Sequence, residues 1–311
     1  METVRFSIAI PQLGTDDFDT TGLRDYLVRA EELGFEGGWT LEQAIGESAL
    51  LAPLEVLAFA AACTRRMRLG VAVMVTSLHD PLQLAAAVTA VDRLSNGRLD
   101  LGVVAGGGSR KFGAFGVEKA THVSYFTEGL ELMRAAWSDQ PRITFHGRFR
   151  ELDDLPIQPK PVQRPHPPIW FGGHAPAALA RAVRLGDAFI GAGSATTEAF
   201  ADAVAIVRRE LDAQHKDPAG FTIAKRVYVV VDDDTERARE RALAGLRRIY
   251  GERPDLDTVA VAGNAARVAG ELSRVMYAGA QMLLLNPLGA NVAQDREQME
   301  RLALEVISRL G

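Results

Sequence analysis

Leu94-Ser-Asn-Gly-Arg-Leu-Asp-Leu-Gly-Val-Val-Ala-Gly-Gly-Gly108 ends a helix, runs a strand and opens a loop. Asn96 and Gly97 are the residue types that adopt the left-handed turn which stops a helix. Leu99, Leu101, Val103 and Val104 then form an apolar run of strand length. Gly106, Gly107 and Gly108 follow it with no side chains, so the backbone there is open to close approach by a flat or phosphorylated ligand. A plain flexible turn is the competing reading, although such a turn usually manages with one glycine.

The rest of the chain is that of a globular enzyme. Hydrophobic residues make up 47% and charged residues 24% of 311, enough chain to bury most of its apolar surface. A net charge of -5 argues against nucleic acid as a partner, because binding phosphates by charge needs a basic surface. Cys63 is the single cysteine, which excludes an intramolecular disulfide and suits a reducing compartment. No apolar run approaches a membrane span, and Glu2 and Arg5 do not fit a signal peptide's plan. A cytoplasmic protein without membrane contact is expected.

Taken in order, strands are expected at Arg5–Pro11, Glu36–Leu41, Arg68–Val75, Leu99–Val104, Ile169–Gly172, Ala188–Ala192, Lys225–Val231 and Gln281–Asn286, with helices between them. Asp80-Pro81-Leu82-Gln83 gives an N-cap and a first-turn proline, and Leu84, Val88, Val91 and Leu94 stripe the helix that follows. Residues 109–167 break the alternation. They hold one clear helix, with Val123, Phe126, Leu130, Met133 and Trp137 on one face. A run containing Pro156, Pro159, Pro161, Pro165, Pro167 and Pro168 then bars helix and central strand alike. This segment reads as an insertion, an extended arm over the surface that is expected to cover the site.

Eight apolar strands alternating with amphipathic helices call for an α/β fold with a parallel sheet covered on both faces. The count favours a closed (β/α)8 TIM-type barrel: one domain over residues 1–311 with a long insertion after strand four. In such a barrel the chemistry lies at the C-terminal ends of the strands. There the sequence offers Pro11, Gln12, Glu42, Gln43, Met74 to Thr76, Ala105 to Gly108, Gly172 to His174, Ala192 to Ser194, and Asn286. Few of these transfer protons. The six histidines are scattered, so no metal site is expected. His79, just ahead of a capped helix, and Cys63, inside one, both read as structural. No GxSxG elbow, phosphate-loop spacing or GxGxxG after strand one occurs. A mouth rich in glycine and poor in acids and bases suits a cofactor that carries the reactivity itself.

Four stretches carry a resemblance: Leu94-Ser-Asn-Gly-Arg-Leu-Asp-Leu-Gly-Val103, Arg68-Leu-Gly-Val-Ala-Val73, Pro168-Ile-Trp-Phe-Gly-Gly173 with Gly186-Asp187 after it, and Ala278-Gly-Ala-Gln-Met-Leu-Leu-Leu285. The chain resembles the bacterial luciferase-like superfamily from Phe6 to about Leu288. The resemblance implies FMN or the deazaflavin coenzyme F-420 at the mouth of a TIM-type barrel. It also implies monooxygenation or hydride transfer to a small organic substrate, and a homodimer. Gly172, Gly173, Gly193 and Ser194 match positions that hold the cofactor phosphate, and glycine amides at a helix N-terminus favour an anion. Ala72-Val73 matches a non-prolyl cis peptide behind the ring. Cofactor-binding residues are thus expected at Ala72, Val73, Thr76, Ala105, Gly106, Gly107, Gly172, Gly173, His174, Gly193 and Ser194. Two departures stand out. Gln43 replaces a histidine found after strand two in relatives, and Gly107 replaces a glutamate of F-420-dependent sugar phosphate dehydrogenases. Glu42 is left as the expected catalytic carboxylate, with a strand-end capping role as its rival. A non-catalytic flavin-binding relative, or a barrel lyase, isomerase or aldolase, are the alternative functions; the latter wants a strand-end lysine, and Lys225 is expected at the wrong end of its strand.

Overall fold

Eight of the apolar runs become strands of one parallel sheet. The computed structural model describes residues 4–13, 18–43, 45–46, 48–107 and 112–310. In chain order, β1 (Arg5–Ala9) leads to α1 (Thr20–Glu32), β2 (Gly37–Thr40) to α2 (Pro53–Cys63), β3 (Arg68–Val75) to α3 (Pro81–Leu94), and β4 (Leu99–Val104) to α4 (His122–Trp137). A hairpin follows, β5 (Arg142–His146) and β6 (Glu151–Pro156), before β7 (Ile169–Gly172), α5 (Pro176–Leu185), β8 (Ala188–Gly191), α6 (Thr197–Ala213) and β9 (Thr222–Val231). The chain ends with α7 (Thr235–Tyr250), β10 (Val261–Gly263), α8 (Ala265–Tyr277), β11 (Met282–Pro287) and α9 (Val292–Arg301). The sheet runs β11-β1-β2-β3-β4-β7-β8-β9, and β9 pairs with both β8 and β11, which closes the barrel. The three-residue β10, absent from the sequence reading, adds to the C-terminal end of β9 through Val261 opposite Val229.

The barrel interior is filled by Trp39, Ala72, Trp170, Ala188, Ile190, Ala224, Met282 and Leu284. The two indoles meet edge to face at 5.1 Å, a geometry that suits aromatic quadrupoles. At the end opposite the mouth, buried Asp100 accepts from Arg68 Nε at 2.6 Å, Arg68 Nη2 at 2.7 Å and Trp170 Nε1 at 3.2 Å. That end is plugged. A ligand of any size has to sit at the other.

The turn that opened the sequence reading has the expected conformation, with Asn96 at φ 56° and Gly97 at φ 79°. Asp80 caps α3 by accepting from the amides of Leu82 and Gln83. Leu94 is a correction: it is 65% exposed, because the last turn of α3 presents Val91 and Asp92 to the interior instead.

Residues 109–167 also need correcting. α4 takes the barrel's fourth helix position, between β4 and β7, with Phe126 of its buried face meeting Phe171 of β7. The run after it is no irregular arm throughout, because β5 and β6 pair antiparallel. Of the six prolines only Pro156 lies in the hairpin, at its last position, so the ladder loses nothing. The hairpin turn is pinned to α4 by buried Glu128, which accepts from the amides of Arg148 and Phe149. The proline-rich stretch beyond is tied to buried Asp92, which accepts from the amides of Val162 and Gln163 and from Gln163 Nε2. Gln163 Nε2 also donates to Leu99 O, at the start of β4. Those partners lie at the plugged end of the barrel. The proline-rich part therefore does not cover the mouth; Phe112, packed beside Gly106 after β4, is the part of the segment shown there.

Candidate active site

The mouth is shaped by an irregularity in β3. Its register against β4 runs from Val71 opposite Leu101 to Met74 opposite Val103, so residues 72 and 73 bulge, and the Ala72–Val73 peptide is cis, as expected. The room for the bulge comes from Gly102 and Gly172, and not from Gly70. At Gly70 an added Cβ would lie 2.3 Å from a ring carbon of Trp39, so that space belongs to the indole. At Gly102 an added Cβ would lie 2.0 Å from Val71 O and 3.0 Å from Val73 Cγ1, and at Gly172 it would lie 3.3 Å from both Val73 methyls. At Gly172, expected at the phosphate, a side chain would require Val73 to give by a few tenths of an ångström.

Beyond the bulge, one half of the mouth is a backbone cradle. Thr76 is buried and its Oγ1 has no hydrogen-bond partner among the described residues. Ser77 Oγ donates to Ala105 O at 2.9 Å, which ties the ends of β3 and β4 together. Gly106 has φ 83°, and an added Cβ there would press on Val75 at 2.8 Å and Phe112 at 3.1 Å. At Gly107 an added Cβ would meet no atom of the described residues within 4 Å; Gly108 lies outside the described residues. Gly173 has φ 139° and leads into α5, whose N-terminus has Pro176 in the first turn and no side-chain cap. By contrast α6 is capped by Thr196. In that first turn Pro176 has no amide hydrogen and the Ala178 and Leu179 amides donate to Ala175 O, which leaves the Ala177 amide and the positive end of the helix dipole available to an anion. These features fit the phosphate and flat ring of a flavin or deazaflavin. His174 is exposed.

Glu42 lies at the mouth, and its contacts are those of the strand-end role set against a catalytic one. Its carboxylate is 5% exposed, with one oxygen accepting from the Val75 amide at 2.6 Å and the other 2.5 Å from His79 Nε2. Both oxygens are engaged, so Glu42 anchors β3 and holds His79. Sequence reasoning set His79 aside as structural, because its partner lies 37 residues away and no local spacing reveals such a pair. Gln12, another mouth candidate, is spent on cross-linking: Nε2 donates to Leu41 O and Leu51 O, and Oε1 accepts from the Leu41 amide.

The other half of the mouth is formed by β8, β9, β11, β1 and β2. Tyr228 and Tyr250 share a hydrogen bond of 2.8 Å between hydroxyls. An added Cβ at Gly193 would lie 2.5 Å from the Tyr228 ring and 3.1 Å from Arg226 Cδ. Burial, reinforced by the neighbouring Tyr228, pushes the Tyr250 hydroxyl well above the ordinary tyrosine range despite Arg226 and Ser194 nearby. Lys225 lies within β9, not at its start, since the strand begins at Thr222. Its side chain points outward through the barrel wall, with Nζ donating to Ala192 O at 2.5 Å and Arg226 O at 3.1 Å and lying 5.9 Å from the Phe200 ring centre. It supplies no amine to the mouth.

Burial, aided by Arg226, lowers the Lys225 ammonium from 10.5 to about 7. Between those values the unfolded chain binds the proton and the folded chain does not, so protonation favours unfolding and Lys225's contribution to stability rises with pH. The free energy of unfolding of the wild type minus that of Lys225→Met is expected to increase steadily from pH 7 to pH 10. Urea titrations at three pH values check this; parallel profiles would place the ammonium in solvent.

A family model described as luciferase-like monooxygenase matches residues 5–302. Among curated relatives, the FMNH2-dependent dimethylsulfone monooxygenase of Pseudomonas putida is 29% identical over 181 residues, 57% of this chain and 48% of that protein. The chain spans about half the length of that relative and of another it matches. Monooxygenase RslO1 from Streptomyces bottropensis superposes with a TM-score of 0.84 at 22% identity over 99% of this chain and 100% of that one. An F420-dependent secondary alcohol dehydrogenase superposes with a TM-score of 0.82 at 17% identity over 99% of each chain. At these identities the structures show a shared fold.

Proposed function

Because the chain belongs to the luciferase-like monooxygenase family, we propose that it is an oxidoreductase that holds reduced FMN or F-420 at the barrel mouth and acts on a small organic substrate. The observation that carries this reading is the backbone cradle itself: Gly106, Gly107 and Gly173 without side chains, the partnerless Thr76 hydroxyl, and the uncapped N-terminus of α5. Gly173 and the Ala177 amide of α5 receive the cofactor phosphate, with Gly193 and Ser194 alongside; Val73 backs the ring, and Thr76, Ala105, Gly106 and Gly107 border it. When bound, the cofactor supplies hydride or activates dioxygen. This protein's own residues position it, exclude water and handle the proton. His79 is the proton-transfer group in this reading, and Glu42, with both oxygens engaged, fixes its ring. That pair takes the part left open by Gln43. The relatives include an FMNH2-dependent and an F420-dependent enzyme, so either cofactor suits the reading.

Titrating the purified protein with FMN and with F-420, each oxidised and reduced, and following cofactor fluorescence tests the proposal; saturable binding of neither would remove it. His79→Ala is expected to leave that binding intact and lower turnover about a hundredfold, the usual worth of a positioned acid or base. Stopped-flow turnover and the binding titration together check it, and unchanged turnover would return His79 to a structural role. Among the described residues no helix is long and apolar enough to cross a membrane. A cytoplasmic homodimer accords with the family resemblance, and light scattering of the purified chain measures the assembly.

A further inference from the structure

A cavity of about 700 Å³ lies against the outer wall of the barrel, between α6, α7 and α8, and Lys225 and Val227 of β9 line it. Those two residues alternate along the strand with Ala224, which fills the barrel interior, so the cavity is on the face of β9 that the mouth does not use. Gly193 borders both spaces. Lys225 is 3% exposed. An ammonium has three hydrogens to donate, and here two carbonyls are in reach, Ala192 O at 2.5 Å and Arg226 O at 3.1 Å. Lys216 shows the contrast: its Nζ reaches the carbonyls of Val183, Arg184 and Gly186, at the C-terminal end of α5, where the helix dipole favours a cation. Lys160, also buried, donates to Ala136 O in the last turn of α4, another such end. Lys225 has neither a third acceptor nor a helix end. Nor does a carboxylate pair with it among the described residues: Glu198 and Glu271, on the walls of the cavity, are held by Arg274 at 3.2 and 3.1 Å. Two acceptors suit a neutral amine, with both N–H bonds used and a lone pair left over. The burial that lowers this ammonium to about 7 acts in the same direction.

We propose that Lys225 is a nucleophilic amine that condenses with an aldehyde entering the cavity between α6 and α8 to form an imine. A desolvated lysine is the form of this side chain that attacks carbonyl carbon. Among the described residues no side-chain acid is within hydrogen-bond reach of Nζ, so the carbonyl has to react without being protonated by the protein, which selects an aldehyde over a ketone, ester or amide. Glu240 and Asp257 on the lining are nearly balanced by Arg239 and Arg267, so the aldehyde needs no charge of its own. The lone pair of Nζ adds to the carbonyl carbon and one amine proton passes through water to the oxygen, giving a carbinolamine. Loss of that hydroxyl with the second amine proton, as water, leaves the imine. Nothing is oxidised or reduced.

The test uses benzaldehyde with sodium cyanoborohydride, which traps the imine as a stable benzylamine, on the folded full chain with Nα-acetyl-lysine amide in the same solution as standard. Peptide mass spectrometry reads the extent at each lysine. At pH 7.5 Lys225 is expected to be labelled about a hundredfold faster than the standard, which is almost wholly protonated there. Its rate is expected to level off by pH 8.5, while that of the standard climbs about tenfold per unit. In concentrated urea the advantage is expected to vanish. Preloading with FMN or F-420 is expected to leave the labelling of Lys225 unchanged, because the amine faces away from the mouth. Labelling no faster than that of the standard, or a rate that climbs in parallel with it, would show a charged or closed-off amine and overturn the proposal. An advantage that survives in urea would owe nothing to the cavity and overturns it too. Protection by either cofactor would assign the amine to the mouth, with the same consequence.

Discussion

Gly173→Asp is expected to weaken cofactor binding a hundredfold or more while the barrel stays folded. Position 173 joins β7 to α5 at φ 139°, where a Cβ would lie 3.1 Å from the Ala178 methyl. Any side chain there pays for an unfavourable backbone, roughly 1 kcal/mol, and Ala178 has to give by a few tenths of an ångström. Aspartate adds something alanine does not. Its carboxylate sits at the uncapped N-terminus of α5, where it satisfies amides and favours the helix dipole, which offsets part of the strain. The same carboxylate takes the place proposed for the cofactor phosphate and repels it. Gly173→Ala carries the strain without the charge, so it is expected to cost less than tenfold in affinity. Fluorescence titration of FMN or F-420 against both variants, with circular dichroism to confirm the fold, checks the contrast. Equal affinities for the two variants would mean that no anion is held there.

The sequence was most legible where physics is local. Asn96 and Gly97 stop α3 because few other residues take positive φ at little cost, and the eight barrel strands are short apolar runs with turn residues on either side. Contacts between distant segments were not legible. Glu42 and His79 meet only after β2 and β3 pair, and the role of Gly172 depends on where the β3 bulge puts Val73. The hairpin β5–β6 was hidden by prolines that lie almost all beyond it. Arg226 did leave a signal. In Ala224-Lys-Arg-Val-Tyr228 a period of two puts Ala224, Arg226 and Tyr228 on one face, and the apolar look of Val229 to Val231 drew attention from it. Reading that strand by alternation instead of by average hydrophobicity would have placed one cation facing into the barrel.

Gly102→Ala is expected to be the most destabilising single-methyl change among the sites discussed, about 3 kcal/mol or more, the upper part of the range for overpacking. The atom that the new Cβ would meet is Val71 O at 2.0 Å, with Val73 Cγ1 at 3.0 Å. Val71 O is backbone, in a strand held on both sides by β2 and β4, so no rotamer change relieves the clash and the bulge of residues 72 and 73 has to move. Gly70→Ala provides the comparison. There the obstacle is the Trp39 ring, a fully buried side chain whose displacement disturbs the interior packing against Trp170 but leaves the β3–β4 register alone. Both variants are expected to lose stability, but only Gly102→Ala is expected to lose cofactor affinity in the fraction that remains folded, because Val73 and Thr76 move with the bulge. Denaturant titration gives the stability loss, and cofactor titration at low temperature, where the folded fraction is largest, gives the rest. A Gly102→Ala protein of wild-type stability would show that β3 passes β4 without the bulge described here, and the placement of the cofactor ring against Val73 would fall with it.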